Sequence, residues 1–332
     1  MAVIVKENSG IIQDLLSKLI TTDGGADFVI PCDAYFEVSD CDFEVFSLYC
    51  SLACSTSRHE TDQKLSSLEL EFSAYSKPID DNLDTTEGKL GRTKSSRNRK
   101  VRNKVQKPLE IHVTILQNQT TLNDLGVTGT VAWNSSHYLA RWILSHPEWF
   151  LGKRCLELGS GTGVVGITLG KMMSKLGSYS GSVILTDQEA NLPLINKNIL
   201  TNFPQASNKK GGGVDISCAE LCWEDVPKLL ANPNGTWLDE HPDGWDIVIL
   251  SDCVYNEHLV SSLVTCLKAL VSTHPTIIVL CQELRSHLVH SAFLNQLLEA
   301  EFKVVRANKI NPEEEVNHIA LYVMWMESEK AL

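Results

Sequence analysis

Hydrophobic and polar residues change their spacing repeatedly along this chain, and each change predicts an element. Residues 109–117 alternate, with Ile111, Val113 and Ile115 on one side, which predicts a half-buried strand. Residues 128–133 then lead into a helix over 137–144, capped at Asn134 or Ser135. A short apolar run over 154–158 reads as a buried strand; after three glycines the spacing turns helical through Val165, Ile167, Leu169, Met172, Met173 and Leu176. Strands follow at 182–187, 214–221, 246–251 and 276–281, with helices at 189–200, 257–271 and 287–299. Two last alternating runs, 302–307 and 317–326, are close enough to pair as a hairpin. Repeated strand–helix units predict an α/β fold, a mostly parallel doubly wound sheet covered on both faces. Residues 211–213 and 224–244 read as surface insertions.

The first hundred residues are harder to place. Residues 11–20 have the pattern of one short amphipathic helix, and 34–49 alternate enough for strands. Charge marks the boundaries better than periodicity does. Residues 1–87 carry 17 acidic against 5 basic side chains, whereas 88–109 carry nine basic ones and no acid. The reading is an acidic N-terminal region (1–87), a basic, solvated linker (88–108) and one large α/β domain (109–332). The basic stretch 89–107 has sharper readings: a nuclear-localisation or RNA-contact patch, or an arm that docks an acidic protein. A net charge of −12 for the whole chain argues against nucleic acid as the main ligand.

Cysteines bear on the compartment. Ten are scattered, and Cys155, Cys253, Cys266 and Cys281 lie inside apolar runs, which fits reduced core thiols better than a disulfide framework. No apolar run approaches the roughly 18 residues of a membrane helix, and the N-terminus has no basic-then-apolar leader. The expectation is an intracellular, cytoplasmic monomer, with the nucleus open to it through the basic stretch. Cys32, Cys41, Cys50, Cys54 and His59 invite a zinc reading, but their spacing is not that of a common zinc module and no metal is expected.

The chemistry gathers after the strands, where open α/β sheets bind ligands. Glu157-Leu-Gly159-Ser160-Gly161-Thr-Gly163-Val-Val-Gly166 is a strand end, a tight turn and a helix start. Glycines there let the backbone turn sharply and a ligand lie against it. Asp187 ends the next strand, placed to accept the two hydroxyls of a ribose, so the ligand is nucleoside-like. Gly161 to Gly166 also satisfy the dinucleotide fingerprint, but Glu157 would repel a pyrophosphate and suits a cation such as S-adenosylmethionine (AdoMet). A glycine turn without a ligand is the plainer alternative. Trp223 follows the third strand and could lie on a purine face or simply be core. Asp252 and Tyr255 follow the fourth. If a lysine amine is the acceptor it must shed a proton; Asp252 could orient its ammonium and Tyr255 close its pocket. Asp252 could equally cap the next helix.

At these residues residues 109–326 resemble the family 16 seven-β-strand methyltransferases, a protein-lysine methyltransferase group acting on translation elongation factors and chaperones. The likeness rests on Val131-Ala-Trp133-Asn-Ser-Ser136, Glu157 to Gly163, Thr186-Asp187, Leu192-Pro-Leu, Asn198-Ile199, Trp223 and Asp252-Cys-Val-Tyr255. It implies a Rossmann-like seven-stranded sheet in the order 3-2-1-4-5-7-6, the last strand antiparallel, with AdoMet as cofactor. It places Trp133, Gly159, Ser160, Gly161, Asp187, Trp223 and Ser251 against that cofactor. Glu157, Gly163 and Gln188, in the same turns, complete the expected cofactor-binding set. Asp252 and Tyr255 would border the transfer site. The expected activity is protein-lysine N-methylation of a translation factor or chaperone, with no membrane partner. Small-molecule, arginine or histidine methylation and a catalytically silent AdoMet-binding scaffold stay open; the prolines of base-methylating enzymes are missing after Asp252.

Overall fold

The computed structural model describes residues 35–37, 67–74, 109–117, 129–204, 214–232, 236–272, 274–307 and 318–326. The expected helix at 11–20, the five zinc candidates, the basic stretch 89–107 and residues 211–213 lie outside them. The elements in chain order are β1 (Tyr35–Glu37), β2 (Ser67–Ala74), β3 (Leu109–Leu116), α1 (Asn134–Ser145), β4 (Arg154–Leu158), α2 (Val164–Lys175), β5 (Ser182–Asp187) and α3 (Leu192–Asn202). They continue as β6 (Asp215–Glu220), α4 (Val226–Ala231), β7 (Ile247–Ser251), α5 (Glu257–Ser272), β8 (Ile277–Glu283), α6 (His287–Glu299), β9 (Lys303–Ala307) and β10 (Ile319–Trp325).

Strand order in the main sheet is β1-β9-β10-β8-β7-β4-β5-β6. Without β1 this is the expected 3-2-1-4-5-7-6. β4, β5, β6, β7 and β8 run parallel, while β10 runs antiparallel to both β8 and β9. The last two strands are thus a hairpin inserted so that β10 lies inside. The eighth strand, β1, adds three residues to the outer edge of β9.

Alternation along the strands sorts their side chains into two cores. In β8, Ile277, Val279 and Cys281 join the core under α1, α2 and α3, while Ile278 and Leu280 join the one under α5 and α6. The central strands are apolar on both sides because both faces are covered.

Ile111, Val113 and Ile115 are buried as their alternation predicts. Their strand, β3, pairs not with the main sheet but with β2, in register from Ser67↔Leu116 to Ala74↔Leu109. This hairpin is fastened to the domain by amides that imitate a strand. Asn202 accepts from Thr114 N at 3.0 Å and donates to Thr114 O at 2.7 Å. One turn earlier, Asn198 accepts from Leu116 N at 2.8 Å and donates to Leu116 O at 2.9 Å. The same Asn198 amide also donates to Thr162 O in the glycine turn.

Two local expectations change. Neither Asn134 nor Ser135 caps α1; Trp133 stands at the N-cap and makes no side-chain capping bond, and Ser136 turns its hydroxyl back to Trp133 O at 2.6 Å. Ser135 instead lies buried at 3.2 Å from the Ser251 hydroxyl, tying the helix start to the tip of β7. Residues 224–244 are not a plain insertion, because α4 buries Val226 and a 3₁₀ turn at Trp237–Glu240 buries Leu238.

Candidate active site

One cavity of about 300 Å³ opens over the C-terminal ends of the parallel strands. Trp133, Glu157, Gly159, Ser160, Gly161, Asp187, Gln188, Trp223, Ser251, Asp252 and Tyr255 line it, so eleven of the twelve sequence-predicted residues meet there. Gly163 does not; it stands at the N-cap of α2 with φ 81°.

The turn is shaped by short-range sterics. Gly161 has φ 56°, and an added Cβ would lie 3.1 Å from Gly129 O. Only glycine holds that left-handed conformation without penalty. Its amide donates to Asp187 Oδ2 at 2.7 Å, while Asp187 Oδ1 accepts from Gln188 N and Asn191 Nδ2, both at 2.8 Å. A carboxylate offers about four acceptor positions. Three are used by these donors, and Asp187 therefore braces the turn while still facing the cavity.

Glu157 is buried at the end of β4 and accepts from Gly166 N at 3.0 Å. Burial pushes its carboxyl up to about 8, against the pull of that bond and of Ser160, and the nearby Asp187 charge adds to the rise. A cation entering the cavity would favour the ionised form. Gly166 leaves the room this carboxyl needs, since a Cβ there would sit 2.5 Å from Glu157 Oε2. Trp223 is half-buried, its ring near Gly159.

On the β7 side, Asp252 has φ 59°, an unusual conformation for a non-glycine residue. It does not cap α5, which begins five residues later. Its carboxylate is instead saturated from β8 and the loop that follows. Arg285 donates to Oδ1 at 2.7 Å and to Oδ2 at 2.5 Å, and Gln282 Nε2 donates to Oδ1 at 2.9 Å. Gln282 also accepts from Val254 N at 2.9 Å, so it clasps both ends of the Asp252–Val254 turn. Arg285 reaches Glu283 Oε2 at 2.7 Å and lies 4.9 Å over the Trp133 ring. Burial alone would lower its pKa, but Asp252 and Glu283 hold it above the ordinary value. Trp133 and Tyr255 remain 38% and 45% exposed, flanking the mouth.

Sequence reasoning missed Arg285, Gln282 and Asn191. Arg285 lies two residues past the end of β8 and Asn191 four past the end of β5, while Gln282 lies inside β8, and no local motif marks any of the three.

The cavity fits a nucleoside carrying a cation: a glycine turn with no side chain in the way, an acid at the next strand tip, and a buried carboxyl beside it. With the strand order, this is a Rossmann-like, doubly wound α/β fold. Residues 111–300, more than half of the chain, match the family model described as Lysine methyltransferase, and the chain belongs to that family.

Among its relatives, it is 30% identical over 159 residues to the Protein N-lysine methyltransferase METTL21A of Danio rerio, covering 48% of this chain and 62% of that protein. It is 30% identical over 195 residues to the EEF1A lysine methyltransferase 3 of Mus musculus, covering 58% and 70%. It is 28% identical over 218 residues to the Diaminohydroxyphosphoribosylamino-pyrimidine deaminase of Schizosaccharomyces pombe, covering 62% and 46%. The chain spans about half the length of most of the curated relatives it matches. Among the described residues, no helix is long and apolar enough to cross a membrane.

Proposed function

We propose that this chain is an AdoMet-dependent protein-lysine N-methyltransferase whose acceptor is a non-histone protein of the translation-factor or chaperone kind. The observation that carries the reading is one cavity lined together by the glycine turn, Asp187, Trp223, Asp252, Tyr255 and Trp133. The naming of relatives for lysine methylation, one of them for EEF1A, supports the acceptor class.

AdoMet, when bound, supplies an activated methyl group to an amine nitrogen. The chain's own residues do the rest. The glycine turn and Trp223 wall the nucleoside end, and Asp187 keeps an acceptor position for its ribose hydroxyls. Glu157, ionised beside a cation, balances the ligand's positive charge. Trp133 and Tyr255 give a slender side chain an aromatic way in, which holds the acceptor near attack distance and away from water. The four buried free thiols, Cys155, Cys253, Cys266 and Cys281, support a reducing, cytoplasmic setting.

The test is to incubate the purified chain with methyl-labelled AdoMet and a cell extract, then locate the label by mass spectrometry. Label on a protein lysine is expected. Label confined to RNA, lipid or a small metabolite would overturn the reading.

A further inference from the structure

The charges at the mouth are already paired in a way that bears on how Asp252 works. The Asp252 side chain is 3% exposed and its two oxygens face the fork of Arg285. Oδ1 also accepts from Gln282 Nε2 and, at 3.3 Å, from Glu283 N. An incoming ammonium could reach this carboxylate only by displacing a two-pronged guanidinium from a site almost closed to water, where water cannot compensate the loss. Asp252 is therefore poorly placed to receive the acceptor. The same guanidinium lies over the Trp133 ring. Trp133 precedes α1, and Asp252 and Arg285 stand after β7 and β8, so Arg285 joins the start of that helix to the strand tips.

We propose that Arg285 is a positioning residue: it fixes the Asp252 turn and the Trp133 ring together, and Asp252 acts through Arg285 rather than by touching the acceptor amine. The proposal rests on the methyltransferase reading above and deepens it. An Arg–carboxylate fork sets an angle as well as a distance, which a lysine ammonium cannot do. Glu283 restrains the guanidinium from a second side, with its Oε2 2.7 Å from Arg285 Nη2. In this arrangement the turn's left-handed residue is held by its own side chain, and the aromatic edge of the mouth is set by the same cation.

The experiment compares full-length wild type with Arg285→Ala, Arg285→Lys, Asp252→Asn and the double variant Arg285→Ala/Asp252→Asn, all confirmed folded by circular dichroism. Without cofactor, acrylamide quenching of Trp133 is taken as the difference between each chain and its Trp133→Phe counterpart. Trp133 should become more accessible in Arg285→Ala and in Asp252→Asn alike, with the double variant no worse than either. With labelled AdoMet and extract protein, each single change should lower turnover by roughly tenfold to a hundredfold, again without adding in the double. Arg285→Lys should recover part of the lost turnover.

The opposite pattern overturns the proposal. If Asp252 received the ammonium, Asp252→Asn would raise the acceptor's KM and leave Trp133 quenching unchanged, while Arg285→Ala, freeing the carboxylate, would keep turnover. A wild-type chain that takes up no S-adenosylhomocysteine in calorimetry would sink the functional reading instead. The quenching comparison, which needs no cofactor, would still decide whether Asp252 and Arg285 hold Trp133 as a unit.

Discussion

Glu157 makes the sharpest pH-dependent claim at the scale of single residues. Its carboxyl is pushed up to about 8 in the folded chain from an ordinary value of 4.5. The folded state thus binds this proton more tightly than the unfolded state, and the stability it contributes is complete below about 4.5 and lost as pH rises to about 8. Glu157→Gln cannot ionise, so the fall in melting temperature over that range should be shallower in the variant; parallel profiles would count against the assignment. Gly166→Ala forces a methyl to within 2.5 Å of the same carboxyl and 2.7 Å of Leu185. A loss of about 1–3 kcal/mol in urea unfolding is expected, as for other overpacked cores. What the sequence discloses at this scale depends on distance along the chain. Glu157 to Gly163 and Asp252 to Tyr255 each lie in one short run and could be read as motifs. Arg285 is 33 positions from the carboxylate it binds, and nothing local marks it.

At the scale of elements, α3 acts as a strand would. Asn198 and Asn202 present amide groups one turn apart to alternate residues of β3, and Asn198 reaches the glycine turn as well. Asn198→Ala would leave the Leu116 and Thr162 backbone groups short of partners, at a cost of about 3 kcal/mol. Amides of β3 should then exchange with solvent faster than in wild type; unchanged protection would mean that apolar packing alone holds the hairpin. Periodicity located α6 at 287–299 and placed the other core helices and strands within a few residues, because each has one dominant spacing. It failed at α4 and the turn at Trp237–Glu240, which are too short to show a period, and at the start of α1, where Ser135 answers to Ser251 across the fold. The pairing of β2 with β3 was equally hidden, since the 34 residues between them are far more than a hairpin loop holds and periodicity does not say which strands pair across such a gap.

At the scale of the whole molecule, the sheet order was legible only through resemblance. Apolar alternation distinguishes strands from helices but does not say which strands are neighbours. The folded domain and its ligand should be linked by mass action: S-adenosylhomocysteine at a hundred times its dissociation constant should add about 2.7 kcal/mol to stability. Thermal unfolding with and without the compound checks this, and an unmoved transition at saturating concentration would contradict it. β1 has a separate consequence at this scale. Its three residues, Tyr35 to Glu37, occupy the outward amides and carbonyls of β9, opposite Ala307 to Val305. A chain started at residue 67 would present that row bare, a template on which identical molecules can zip edge to edge. Its light scattering should climb more steeply with concentration than that of the full chain, so a segment so small would serve as a guard against edge-to-edge association.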